Sequence, residues 1–177
     1  MSALKFNLVD SCGDNVTPGI ESKIYAACAC DVDVFPPVVG TTTQGDSITL
    51  QGDITLLAGK QFFEIDVITD TGEVKHTLVG QKKSRSYRQS LMAKTTGNKN
   101  YDEFFNNNRN GCFIFLFKDK DGNMRVIGHP TKGYATFATA EDTSGSNEES
   151  AKEWTFEATA APGNVAYYYN GVIDVTP

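Results

Sequence analysis

The side chains able to do chemistry are few: four cysteines, two histidines and three places where charge collects. Cys28-Ala-Cys30 sets two thiols two residues apart, on one face of a strand. A metal knuckle spaces its thiolates Cys-x2-Cys and adds a second ligand pair, and neither His76 nor His129 lies beside such a pair. With Cys12 and Cys112 they read as buried thiols, and MSALKFNLVDSCGDN lacks the apolar core of a secretory leader, so a reducing compartment is expected. No metal and no cofactor is expected. Asp119-Lys-Asp-Gly-Asn123 has the spacing that opens a calcium loop, but the twelfth position is Pro130, where a bidentate Glu is needed. A tight turn with Asp121-Gly122 at its φ > 0 positions accounts for it better. Glu64 and Asp66 put two carboxylates on one strand face, as a glycosidase does, but nothing around them offers a sugar platform. There is no G-x-S-x-G elbow and no glycine loop to cradle phosphate, so no enzyme is expected.

The third concentration of charge is basic: Lys82, Lys83, Arg85, Arg88 and Lys94, with Tyr87 among them. Nucleic-acid binding is opposed by the net charge of −6 and by the absence of an RNP-like aromatic motif. A contact between copies fits better. In it Lys82, Lys83, Arg85 and Arg88 meet an acidic loop carrying Glu141, Asp142, Glu148 and Glu149 on a neighbour. Such pairs orient an assembly more than they tighten it.

The elements that must hold these residues are strands. A chain of 177 residues, 40% hydrophobic and 21% charged, suits one domain with its own core, and its wealth of Thr, Val, Phe, Tyr and Gly favours β structure. No stretch reaches the roughly 18 apolar residues of a membrane helix. Cys112 to His129 is the organising hairpin. Phe113, Phe115 and Phe117 alternate with Ile114 and Leu116, which predicts a central strand covered on both faces. Met124, Val126 and Ile127 begin the return. The segment to Asn15 reads as an arm or edge strand, and Ile20 to Val34 as a strand, broken or bent around the Cys pair and ended by Pro36-Pro37. Residues 38–60 read as a long interfacial loop with short strands on either side of Gln51-Gly52-Asp53. Gln61 to Asp70 and Val74 to Val79 read as a hairpin about Thr71-Gly72, and 82–96 as a strand with Tyr87, Gln89, Leu91 and Ala93 on one face, in preference to a short basic helix. One short helix is expected at about 100–108, with Asn100 as cap and Tyr101, Phe104 and Phe105 as its apolar stripe. Tyr134 to Thr139 is a further strand, Glu141 to Ser150 a polar loop, and Ala151 to Ala160 a half-buried strand carrying Trp154, Phe156 and Ala158.

The order of these pieces resembles small structural proteins of tailed phages that infect Bacteroidetes. The resemblance is carried by IESKIYAACACDVDVFPP, the Thr/Gly-rich stretch after it, FEIDVITDTGEVKHTLVG, the Phe113–Gly128 hairpin and WTFEA near the end, over roughly residues 20–160. It implies a tail-tube-like β-sandwich or flattened barrel over residues 1–177, whose copies join edges into a ring, stacked into a tube or kept as one collar or adaptor layer. The partners implied are further copies of the chain and neighbouring tail or connector proteins, with viral DNA passing through without specific binding. The place implied is the virion tail, with assembly in the host cytoplasm. Two different classes stay open: a carbohydrate-binding β-sandwich using Trp154 and Tyr167 to Tyr169 as stacking platforms, and a hydrolase whose site carries no recognisable motif.

Overall fold

A computed structural model describes residues 17–40, 42–146 and 151–175. In chain order the strands are β1 Ile20–Cys28, β2 Val32–Val34, β3 Thr49–Leu50, β4 Thr55–Leu56, β5 Phe63–Asp66, β6 Glu73–Val79 and β7 Ser86–Thr96. After the helix α1, Lys99–Asn108, come β8 Phe113–Asp119, β9 Met124–Ile127, β10 Thr136–Thr143, β11 Glu153–Gly163 and β12 Tyr167–Tyr169. The fold is mainly β with one α-helix, and none of its sheets closes into a barrel, as a sandwich requires. A six-stranded sheet runs β3-β12-β9-β8-β1-β5, a four-stranded sheet runs β10-β11-β7-β6, and β2 pairs with β4 alone.

The alternation of β8 explains the layering. Phe113, Phe115 and Phe117 enter a core between the two large sheets, where they meet Leu91 and Ala93 of β7 and Phe156 and Ala158 of β11. Ile114 and Leu116 point the other way, into a second core with Leu50, Ile54, Phe62, Val126, Tyr167 and Tyr169. The central strand is therefore covered on both faces, as its unbroken apolar run predicts. Residues 32–62 form the cover on the second side and act as a strap. The strap does hold short strands on either side of Gly52, but they do not pair with each other: β3 lies parallel to β12, and β4 lies antiparallel to β2. Its apolar side chains are drawn into the protein's own second core. Asp53 Oδ1 accepts a hydrogen bond from the Val172 amide at 2.8 Å, and Tyr169 Oη accepts one from the Ile54 amide at 3.1 Å.

The expected hairpin about Thr71-Gly72 is not formed. β5 pairs with β1 in one sheet and β6 with β7 in the other, so the turn carries the chain across the sandwich. The crossing is visible in consecutive amides: Val67 donates to Ser22 O of β1 and Ile68 to Lys94 O of β7. A second crossing, from β9 to β10, passes through Gly128. Its φ of +86° and the 3.0 Å between a would-be Cβ and Phe113 O leave room for glycine only. Gln89, fully buried, ties this corner to another: its Oε1 accepts from the Gly128 amide at 2.9 Å and its Nε2 donates to Asn164 O at 2.8 Å.

The helix starts earlier than its acidic first turn suggests. Asn98, not Asn100, is the cap, its Oδ1 accepting from the amides of Asn100 and Tyr101 at 3.0 and 3.1 Å. The stripe is as expected. Phe105 is buried and stacks on Trp154 at 4.7 Å, and Phe104 lies 5.1 Å from Phe63, so α1 closes one end of the inter-sheet core.

Candidate functional site

Two places hold the basic and acidic residues singled out by charge. The first is the β6–β7 hairpin. Lys82 and Lys83 lie in its turn, closed by the Ser84 amide donating to Gln81 O at 2.9 Å; Arg85 comes just before the outgoing strand β7 and Arg88 lies on it. All four are exposed, and Lys83 holds a φ of +77°. The second is the β10–β11 hairpin. Here β10 runs to Thr143, so Glu141 and Asp142 sit in the strand and not in the loop after it. Glu141 lies opposite Thr155 and Asp142 opposite Trp154, and both side chains are exposed. Glu148 and Glu149 lie outside the described residues, as do Cys12 and the segment to Asn15.

These hairpins belong to one sheet and occupy its two borders. β6 and β10 are its first and last strands, and among the described residues neither has a second strand beside it. Each step across the sheet, β10 to β11, β11 to β7 and β7 to β6, is antiparallel, so the two borders run antiparallel to each other. Six of the eight β10 residues are exposed, which leaves a bare row of backbone donors and acceptors. The sheet's outer face is polar: Lys94 pairs with Glu153 at 2.5 Å, Lys75 with Glu73 at 3.0 Å, and Ser90 donates to Glu157 at 2.6 Å.

Sequence reasoning missed one feature of the basic hairpin. Leu78 and Tyr87 lie opposite each other on its inward side, yet they are 48% and 38% exposed. Gly163 of β11 is the next residue across from Tyr87 and carries no side chain to cover the ring. Thus the hairpin runs past the covered part of the sandwich and carries an apolar pair with it. Alternation alone assigns both residues to the core, because it says nothing about where the opposing sheet stops.

The other candidates for chemistry are occupied within the molecule. Cys28 and Cys30 form a disulfide instead of buried thiols, with Cys30 exposed, and Cys112 is a half-buried free thiol. Asp31 comes near enough to complete a three-ligand cluster with them, but its carboxylate pairs with Lys60 at 3.2 Å and both sulfurs are spent on each other. Glu64 faces solvent and pairs with Lys23 at 2.5 Å. Asp119 Oδ1 accepts from the Asn123 amide at 2.8 Å, the geometry of a turn. A groove of about 840 Å³ beside this turn includes Asp70, Glu73, Asp121 and Arg125. Asp70 there pairs with Lys120, Asp121 accepts from the Thr17 amide, and Arg125 lies 4.8 Å over the Tyr168 ring. His76 is half-buried with Nε2 accepting from the Ala166 amide at 3.0 Å; burial, then the nearby Arg125 charge, holds its pKa below the usual 6.5. Tyr167 and Tyr169 are buried in the second core and offer no stacking face. Trp154, already stacked on Phe105, donates from Nε1 to Asp102 at 2.7 Å.

Comparison of the chain with protein-family models, with curated proteins and with solved structures returned no match.

Proposed function

We propose that the chain is a structural, non-enzymatic protein of a phage virion that joins copies of itself border to border into a ring, single or stacked, in the tail. The observation that carries this reading is the pair of bare, mutually antiparallel borders, β6 and β10, on opposite sides of one sheet. A rotation that lays β10 of one copy beside β6 of the next continues the antiparallel sheet. The contact is heterologous, with different surfaces on the two sides, and a heterologous contact closes into a ring when its rotation divides a full turn. Each closure covers edges that an isolated sheet leaves open to unwanted pairing. The resemblance to phage structural proteins points the same way. DNA passes through the centre without specific binding, in keeping with the net charge of −6. Neighbouring tail or connector proteins are the further partners.

The test is assembly of the full chain at rising concentration, followed by mass photometry and negative-stain imaging. Annuli of uniform diameter are expected. Ala138 lies at the break in the β10–β11 register, so Ala138→Pro places a proline on the border with little damage to the strand beneath it. That variant should stay folded and need at least about tenfold more protein to form annuli, the equivalent of roughly 1.4 kcal/mol. Unchanged annuli in the variant, or a wild-type chain that stays monomeric throughout, would overturn the reading.

A further inference from the structure

The charged ends of the four-stranded sheet are too far apart to meet in the lateral contact, and this assigns them a different one. β7 gives a common ruler. The basic turn follows Val79, which pairs with Ser86 at the start of β7. Glu141 pairs with Thr155, and Thr155 pairs with Lys94 near the end of β7. From Ser86 to Lys94 is eight residues, about 27 Å at a rise of about 3.4 Å per residue. When β10 of one copy lies level beside β6 of another, Glu141 and Asp142 remain a whole strand length from Lys82, Lys83 and Arg85. Sliding the copies until the charges met would pull the two borders out of register altogether. The basic and acidic ends instead lie at opposite poles of the strand axis.

We infer that these poles are a second self-association surface. The basic β6–β7 tip of one copy (Lys82, Lys83, Arg85, with Leu78 and Tyr87) seats on the acidic β10–β11 end (Glu141, Asp142) of a copy stacked along the strands. Among the described residues none of these five charges makes an ion pair within its own chain, whereas the lysines on the sheet's outer face do. The partner is a second copy of this chain because the complementary charge is present on the same sheet, at the opposite end. The apolar pair supplies contact area where charges alone would give direction and little affinity. Since the unit that stacks is the ring, the inference rests on the proposed function. It adds the contact that makes a tube polar, with every ring facing the same way.

The experiment separates the two contacts. Full-length wild-type protein is imaged and sedimented at about 50 mM and about 500 mM salt, beside a Lys82→Glu/Lys83→Glu/Arg85→Glu variant, a Glu141→Lys/Asp142→Lys variant and their mixture, with circular dichroism as the check on folding. The wild type should stack at low salt and separate into single annuli at high salt, because exposed charges are screened beyond about one Debye length. Each variant should form annuli as readily as wild type, while the concentration needed to stack rises at least about tenfold. The mixture should stack again, because the reversed surfaces complement each other. Wild-type annuli that never stack, or variants that stack as well as wild type, would each sink the axial contact and leave the lateral one standing, whereas variants that lose annuli would put these charges in the ring contact itself and sink both the axial contact and the level border pairing. A folded wild type without annuli at either salt would remove the ring and the stack together.

Discussion

His76 shows how a single side chain can hold a position without performing chemistry. Its unprotonated Nε2 is needed as an acceptor for the Ala166 amide, and burial keeps its folded pKa below the unfolded value of about 6.5. Between those two values the unfolded chain binds more protons than the folded one. The His76 contribution to stability is therefore complete above 6.5 and is lost as the pH falls through 6.5 toward the folded pKa. Thermal melts across that window should decline more steeply for wild type than for His76→Gln, by at most about 1.4 kcal/mol per pH unit. Equal slopes would show that His76 titrates alike in both states. At this scale the chain was partly legible. The Phe-Ile-Phe-Leu-Phe run and the Tyr101/Phe104/Phe105 stripe declare their local geometry, while the Asp121-Gly122 turn declares its place but takes φ > 0 at Gly122 alone, at +91°, and not at Asp121. What the sequence hides is partnership between residues distant along the chain, such as Gln89 with Gly128 and Asn164, or Asp53 with Val172. The break at the cysteines was legible, since β1 ends at Cys28 and Cys30 lies in the tight turn Ala29–Asp31, but the bond that this turn lets the two sulfurs form was not.

Among the elements, α1 depends on the sheets as much as they depend on it. Only ten residues long, it is too short to persist alone in water, and its stability comes from the ring cluster beneath it. Phe105 lies 4.7 Å from Trp154, 5.4 Å from Phe137 and 5.6 Å from Phe156. Phe105→Ala should cost about 3–5 kcal/mol in urea denaturation, with Trp154 fluorescence altered already in the native baseline. A loss under 1 kcal/mol would mean that the helix is held mainly by its Asn98 cap. Strand existence was readable from the two-residue period, but strand partners were not. The same polar and apolar pattern in β5 and β6 suits a hairpin, but their ladders run to β1 and β7, and the parting shows at the amides of Val67 and Ile68, which donate to different sheets. β10 was underestimated in length for a different reason. A border strand with its outer half exposed has no alternation to display there, and Glu141-Asp142 reads as loop.

For the molecule as a whole, the strand shared by two cores implies one cooperative unit. Phe115→Ala opens the core between the sheets and Leu116→Ala the core beneath the strap, at about 3–5 and 2–5 kcal/mol respectively. Both variants should unfold in a single transition, with far-ultraviolet circular dichroism and tryptophan fluorescence coincident. A biphasic curve for Leu116→Ala alone would mean that the strap melts as a separate layer. The class of fold could be read from composition and period, because both report on average surroundings. The borders became visible only once the order of strands was known, since an edge is a property of what lies beside a strand and leaves little mark on the strand itself.

The strap also determines where a foreign segment can be carried. Its outermost turn, Thr42 to Gln44, is exposed, whereas the flanking Val38 and Leu50 bridge to each other and hold the base shut. That turn belongs to the layer beyond the six-stranded sheet, away from both rims of the four-stranded one. In the border-to-border assembly proposed above, a fluorophore, an affinity peptide or a gold-binding tag grafted there would leave β6 and β10 clear, so assembled particles could be counted and oriented by their labels.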